Sequence, residues 1–392
     1  MVTRLCVILI LLASCRFDLP ITVAYDAEVD AAIDSQVDSH VDGNPSSWLH
    51  PWLRRKQITL LASQIEAPGG GALADFPALV SITDPQIAAS ALTTGQDIVF
   101  TAADGTTVLA SEIELFTPAT GQLVAWVKVP SLSATTNTVL YVYYGHQSPP
   151  QQQPKAVWTA NYLAVWHLNQ DPGTGVNGDI QDSTIAGRNG TTSAAFTSSD
   201  SVMAQIGRGL HFDFPRFLRF PQTNFSNAFT ISMWVDFAGG SEVKTLFANS
   251  GSGLDTNGFR FGINSAGTAD RKIIFDAGNG NTGSGRIAAT AAAAIQINMP
   301  THLAVVVNRI AGTATIYVNG MNAAIGASFP NDFLIDSEFN IGRAENNIYH
   351  FSGTLDEVQL ASTLRSPEWL QTSFKNQFQP GNFHTLGAEE RR

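Results

Sequence analysis

The chain has 392 residues and only two cysteines, Cys6 and Cys15, both within the first fifteen positions. A chain processed after that segment keeps no disulfide and no thiol nucleophile, so its stability must come from apolar cores, helped at most by a metal. Basic residues are also scarce: 22 Lys and Arg face 33 Asp and Glu, for a net charge of −11. No basic patch exists for a phosphate backbone, which excludes nucleic acid as a partner. After the N terminus, no apolar run reaches the ~18 residues of a membrane-spanning helix. The eight histidines show no His-x-His or His-x-x-x-His spacing, so zinc has no support from local motifs. No Gly-x-Ser-x-Gly nucleophile elbow occurs either. Gly278-Asn-Gly-Asn-Thr-Gly283 has the spacing of a dinucleotide fingerprint, but no Asp or Glu lies between Asp276 and Asp332 to hold a ribose. It reads as a hairpin loop.

What the N terminus does contain is a processing signal. Arg4 precedes the apolar run Leu5 to Ala13, which is too short to span a bilayer and suits the core of a signal peptide over 1–14. Leu12-Ala13-Ser14-Cys15 matches the lipobox of bacterial lipoproteins, so Cys15 is the expected acylated residue and the protein is expected on a membrane through a lipid anchor. Arg16 follows where an Asp is associated with inner-membrane retention, so the outer membrane is the expected address. Residues 15–47 read as a disordered acidic tether: 16–47 carry seven acids against Arg16 alone, with Asp26, Asp30, Asp34, Asp38 and Asp42 spaced by four. On a helix that spacing would stack like charges, so an extended, solvated segment is expected.

The remainder reads as all-β, two sandwiches in series. Lys56–Ala62, Phe76–Ile82, Ile98–Phe100, Leu109–Phe116, Leu123–Val129 and Thr138–Tyr144 are short strands separated by turn residues, which predicts a first sandwich over 48–150. The Pro/Gln segment from Pro149 to Pro154 is a stiff linker. In the second half, Phe229-Thr-Ile-Ser-Met-Trp-Val-Asp-Phe237 places every odd residue on an apolar face, the period of a half-buried strand. Leu303–Asn308, Thr313–Gly320 and Gly353–Leu360 follow, with Asn319-Gly320 as a hairpin signal. Ser366, Pro367 and Glu368 predict a brief helix over 366–376. The two halves are expected to fold independently.

These four segments, with Tyr162-Leu-Ala-Val-Trp-His-Leu168 and Gly209-Leu-His-Phe212 upstream, resemble in order and spacing the laminin-G-like (concanavalin-A-like) jelly-roll family. The second domain is accordingly expected over 156–388. Trp52–Leu60, Asp75-Phe-Pro77, Gly95–Ile98, Trp126–Pro130 and Tyr143-Tyr-Gly145 resemble the bacterial domain of unknown function 2341.

The chemistry-bearing residues are few. Glu112 and Glu114 alternate onto one strand face and read as solvated. Asp356 and Glu357, being consecutive, are expected on opposite faces. Period two puts Asp356 with Val358 and Leu360 towards the core, where a carboxylate must be paired, hydrogen-bonded or metal-bound. Laminin-G-like domains often bind one calcium ion. The resemblance therefore implies calcium on Asp356 with Asp182 as second ligand, the latter from a loop in which Ile185 and Ala186 replace the family's Gly and Asn. A carboxylate capping backbone N–H groups without metal is the other reading. Trp234 and Tyr317 fall on the polar phase of their strands; they either form a ligand-binding platform or cover the edge of the core. The resemblance implies a non-catalytic adhesion or recognition protein of the cell envelope, with a glycan or another envelope protein as partner. The rival is a glycan-processing, glycoside hydrolase-like enzyme, or a subunit of one, with acids assembled from loops.

Overall fold

A computed structural model describes residues 47–150, 152–173, 177–250, 256–281, 286–327 and 332–392. The signal segment, Cys15 and the tether to residue 46 lie outside the described residues. Four sheets account for nearly all of the structure, and they stack as two sandwiches.

In the first sandwich, sheet I orders its strands His384–Arg391, Arg54–Leu60, Thr138–Tyr144, Val99–Ala102 and Val108–Leu109. Sheet II consists of Ala72–Thr83, Gln122–Ser133 and Ser111–Thr117. Alternation explains their union: Ile58, Leu60, Phe100, Leu140 and Val142 from sheet I meet Phe76, Ala78, Val80, Leu123, Ala125 and Val127 from sheet II in one buried core. The single strand expected over Leu109–Phe116 is two, because the chain changes sheets at Ala110. One edge of sheet I comes from the far end of the chain. His384–Arg391, expected at the close of the second domain, pairs antiparallel with Arg54–Leu60, with Leu60 opposite His384 and Arg54 opposite Arg391. Arg54–Glu389 and Arg55–Glu390 ion pairs, at 3.1 and 2.7 Å, fasten the outer end of this ladder.

The second sandwich is a jelly roll of two large sheets. Sheet III runs Ser201–Met203, Arg208–Phe212, Gly353–Ala361, Ala228–Phe237, Thr301–Asn308, Thr313–Val318 and Met321–Ala327, with Tyr162–Trp166 also paired to Gly353–Ala361. Sheet IV runs Arg286–Ala289, Ile273–Asn279, Asn257–Ile263, Lys244–Ala248, Asp336–Ile341, Leu218–Asn224, Gly190–Thr192 and Asn177–Ile180. The odd residues of Phe229–Phe237 all enter the core between them, as their spacing predicts. Asn319 and Gly320, at φ 50° and 75°, form the two-residue turn that brings Val318 opposite Met321.

The helix Pro367–Phe378 begins where Ser366 Oγ accepts the Trp369 N–H at 3.2 Å. It lies across both sandwiches. Asn376 accepts the backbone N–H of Leu79 at 2.7 Å and donates to its carbonyl at 2.9 Å, filling hydrogen-bond positions on the free edge of sheet II. The outer faces of sheets II and III meet in a seam of Leu79, Val124, Trp126, Trp158, Val165, Ile206 and Trp234.

Candidate functional site at the seam

Two local irregularities deliver carboxylates to this seam. In Ser111–Thr117, Ile113 pairs with Ala125 and Leu115 with Val124, so one residue is extra and both Glu114 and Leu115 turn outward. In Gly353–Ala361, Gln359 opposes Ser232 and Asp356 opposes Trp234, so Glu357 and Val358 together face Met233. Glu357 adopts the left-handed conformation, φ 52°, that such a bulge allows. Leu355, Val358 and Leu360 therefore point into the jelly-roll core, and Asp356 and Glu357 both point away from it into the seam. This corrects two expectations drawn from strict alternation. Asp356 does not share a face with Val358 and Leu360, and the consecutive acids are on the same side.

Glu112 and Glu114 do share a face, but it is covered. Solvation is the wrong environment for them because the second sandwich packs on that side of sheet II, which the period of one strand cannot reveal. Glu112 accepts Trp158 Nε1–H at 2.5 Å through Oε2 and the Ser183 hydroxyl at 2.7 Å through Oε1. Glu114 accepts Trp126 Nε1–H at 2.8 Å.

His167, immediately after Tyr162–Trp166, is the centre of the group. Its Nδ1 lies 2.6 Å from Glu357 Oε1 and 3.7 Å from Glu114 Oε2, and its Nε2 is 3.4 Å from Glu112 Oε2. Trp126 stacks on the imidazole at 6.0 Å between ring centres, and Trp158 tilts against it at 5.6 Å. Burial alone would lower the pKa of His167; the adjacent carboxylates of Glu357 and Glu112 overcome this and hold it well above its ordinary value. Burial likewise pushes the Glu114 carboxyl well up, reinforced by Glu357. Asp356 is raised for the same reasons, burial first and then Glu357 and Glu114. Glu112 goes the other way, since His167 outweighs the effect of its burial. The cluster thus favours the protonated imidazole, while burial and neighbouring acids disfavour charge on Glu114 and Asp356.

The other expected site residues sit as follows. Asp182 is buried and turned into its own loop: Oδ1 accepts the N–H groups of Val165 and Thr184, and Oδ2 accepts the Arg188 N–H and the Thr184 hydroxyl. Asp356 Oδ2 accepts the Ile206 N–H at 2.8 Å. The expected calcium pair is not the group that converges. Among the described residues, the three whose ligand atoms all lie within 4.8 Å are Glu114, His167 and Glu357. Trp234 and Tyr317 form no open platform, with 1% and 5% of their surface exposed. The C-terminal helix covers the outer face of sheet III here: Trp234 Nε1 donates to Gln377 at 2.7 Å and its ring lies against Phe374 and Phe378, while Tyr317 joins the apolar cluster containing Trp369 and Leu370.

Sequence reasoning missed His167 and Glu357 as site residues. One signal lay in Tyr162-Leu-Ala-Val-Trp-His-Leu168: the alternation that buries Ala164, Trp166 and Leu168 in one core leaves His167 on the opposite face.

Residues 216–371 match the family described as the concanavalin A-like lectin/glucanases superfamily. Residues 94–162 match the domain of unknown function DUF2341. No curated protein matches the chain. Among solved structures, domain 4 of a GH43 extracellular arabinanase from Geobacillus stearothermophilus, in complex with arabinotriose, is 18% identical; the match covers 53% of this chain and 97% of that one at a TM-score of 0.39. A Trypanosoma rangeli sialidase is 12% identical over 68% of this chain and 44% of its own, with a TM-score of 0.40. The binding domain of botulinum neurotoxin serotype D/C is 12% identical over 54% and 52%, with a TM-score of 0.39. The chain therefore joins a DUF2341 domain to a concanavalin A-like domain of the lectin/glucanase superfamily.

Proposed function

We propose that the protein is a non-catalytic carbohydrate-binding protein of the cell envelope, exported and held to the outer membrane by a lipid on Cys15. The superfamily match over 216–371 supports a carbohydrate ligand. The closure of the seam carries the non-catalytic part. Glycoside hydrolysis needs two carboxyl groups ~5–10 Å apart with a sugar bond between them. Glu114 and Glu357 are instead buried between two sheets, and Asp356 meets only a small cavity of about 120 Å³. Glu112, at their margin, has both oxygens engaged by Trp158 and Ser183.

The resemblance implies recognition through the laminin-G-like domain; with Trp234 and Tyr317 covered, ligand capture falls outside the matched segment 216–371, on the first sandwich and the linker. An open cleft of about 500 Å³ runs beside the linker, lined by Thr94, Gln96, Glu112, Pro149, Pro150 and Gln152. Hydroxyl and amide groups beside proline rings suit the mixed polar and C–H faces of a sugar. The test is a glycan array probed with the full chain and with Gln96→Ala. Capture of one glycan class that Gln96→Ala weakens is the expected result. Release of new reducing ends from the captured glycan, abolished in Glu112→Gln, would instead establish the hydrolase. For the anchor, Cys15→Ser should abolish fatty-acid labelling and release the protein from membranes.

A further inference from the structure

The seam has a feature that carbohydrate binding does not use. Three carboxyl groups, of Glu112, Glu114 and Glu357, lie against one imidazole, and the buried Asp356 stands next to Glu357 in the chain. Such a surplus of acid over base is buried either by holding a proton on some of the acids or by binding a cation that lets them ionise. Two of the oxygens have nothing to bond to among the described residues: Glu114 Oε1 and Asp356 Oδ1 have no hydrogen-bond partner, although both side chains are more than nine-tenths buried. Buried oxygens without donors suit a metal ion better than they suit a packed interface.

We infer that the seam binds one divalent transition-metal ion, zinc by preference, through His167 Nδ1, Glu357 and Glu114, with the fourth position filled by water. Zinc accepts one imidazole nitrogen and several carboxylate oxygens at ~2.0–2.2 Å, which places neighbouring donors ~3.0–3.6 Å apart. His167 Nδ1 and Glu114 Oε2, at 3.7 Å, already stand near that separation; Oε2 also accepts Trp126 Nε1–H, so the free oxygen of this carboxyl group is Oε1. Nδ1 and Glu357 Oε1, at 2.6 Å, need to move apart by about 0.7 Å or slightly more. The imidazole nitrogen favours zinc over calcium, which takes oxygen ligands.

The groups of a second shell are at hand. With metal on Nδ1, the proton of His167 sits on Nε2, which has no hydrogen-bond partner in this structure and lies 3.4 Å from Glu112 Oε2, close enough for a small ring rotation to make the bond. This is the carboxylate–histidine–metal arrangement that fixes tautomer and ring orientation. Trp126 and Trp158 hold Glu114 and Glu112 from behind. A small cavity of about 120 Å³, lined by Gln205, Trp234, Asp236 and Asp356, reaches the Asp356 side of the cluster. Glu114 belongs to the first sandwich and His167 and Glu357 to the second, so the ion staples two domains that share no disulfide.

The experiment uses the full chain, stripped with EDTA and returned to metal-free buffer. Titration with zinc chloride should give one equivalent per chain by calorimetry and raise the melting temperature. Cobalt chloride should give visible absorption bands of a site with a nitrogen ligand. Glu114→Gln and Glu357→Gln should each weaken zinc binding at least about tenfold, the scale of a lost ligand contact, and calcium chloride should not compete. Stabilisation by calcium with no response to zinc would overturn the inference, as would zinc affinity unchanged in both variants. If neither variant folds, the wild type decides: failure to bind one equivalent of zinc, or a cobalt spectrum without a nitrogen ligand, overturns it.

Discussion

Leu60 and His384 face each other across one antiparallel ladder, although they lie near opposite ends of the described chain. The strand that begins at His384 completes sheet I on the outer side of Arg54–Leu60. Residues 48–150 alone should therefore not melt cooperatively, since they expose the whole edge of Arg54–Leu60. Removing 384–392 from the full chain should lower its stability by about 3 kcal/mol or more, from several lost hydrogen bonds of roughly 1 kcal/mol each. Urea unfolding and size-exclusion chromatography check both. A cooperative transition from the isolated 48–150 fragment would show that the terminal strand is dispensable.

Asn376 bonds both backbone groups of Leu79. Asn376→Ala leaves a buried N–H and a buried C=O unsatisfied, at about 1–3 kcal/mol each. The expected loss is about 2–5 kcal/mol in urea titration, without change in the strand signal of the circular dichroism spectrum.

Lys56 and Asp84 form a buried ion pair at 2.5 Å, and Asp84 also caps the short helix Pro85–Ser90 through the N–H groups of Gln86 and Ile87. Burial alone would raise the Asp84 pKa; Lys56 and the cap reverse that and hold it below the ordinary carboxylate value. Asp84→Ala strands the Lys56 ammonium and should cost about 3–5 kcal/mol. Adding Lys56→Met should restore part of that loss. An equal loss in single and double variants would assign the whole effect to the cap.

His302 gives a pH dependence of definite sign. It lies under the C-terminal helix against Trp234 and Phe374, and burial pushes its pKa down to about 4. Unfolded histidine titrates near 6.5, so between these values the unfolded chain binds a proton that the folded chain refuses. The contribution is fully present above pH 6.5 and is lost as the pH falls towards 4, by about 3 kcal/mol. The difference in unfolding free energy between wild type and His302→Phe should shrink by that amount from pH 7 to pH 4. A constant difference would mean that His302 is hydrated.

The strands of the second sandwich were legible because one face of each meets a single core: Phe229–Phe237, the Asn319-Gly320 turn and the Ser366 cap all fall where local pattern predicts. The site was not. Its acids come from two sandwiches, and the covering of sheet II by sheet III leaves no mark on the alternation of Ser111–Thr117. Trp234 and Tyr317 mislead for the same reason, since the phase that looks polar in one strand is the phase that a distant helix covers. Asp356 and Glu357 mislead because counting by twos assumes an unbroken ladder.

That broken ladder has a consequence for how such a centre can arise. If Glu357 were deleted, Leu355, Asp356, Val358, Gln359 and Leu360 would alternate without interruption, each still on the face it occupies now. The core and the strand pairing would be untouched, and only the acid beside His167 would be gone. One codon inserted into an otherwise regular strand is therefore enough to add this ligand to an existing sandwich, and one codon lost is enough to return the strand to plain architecture.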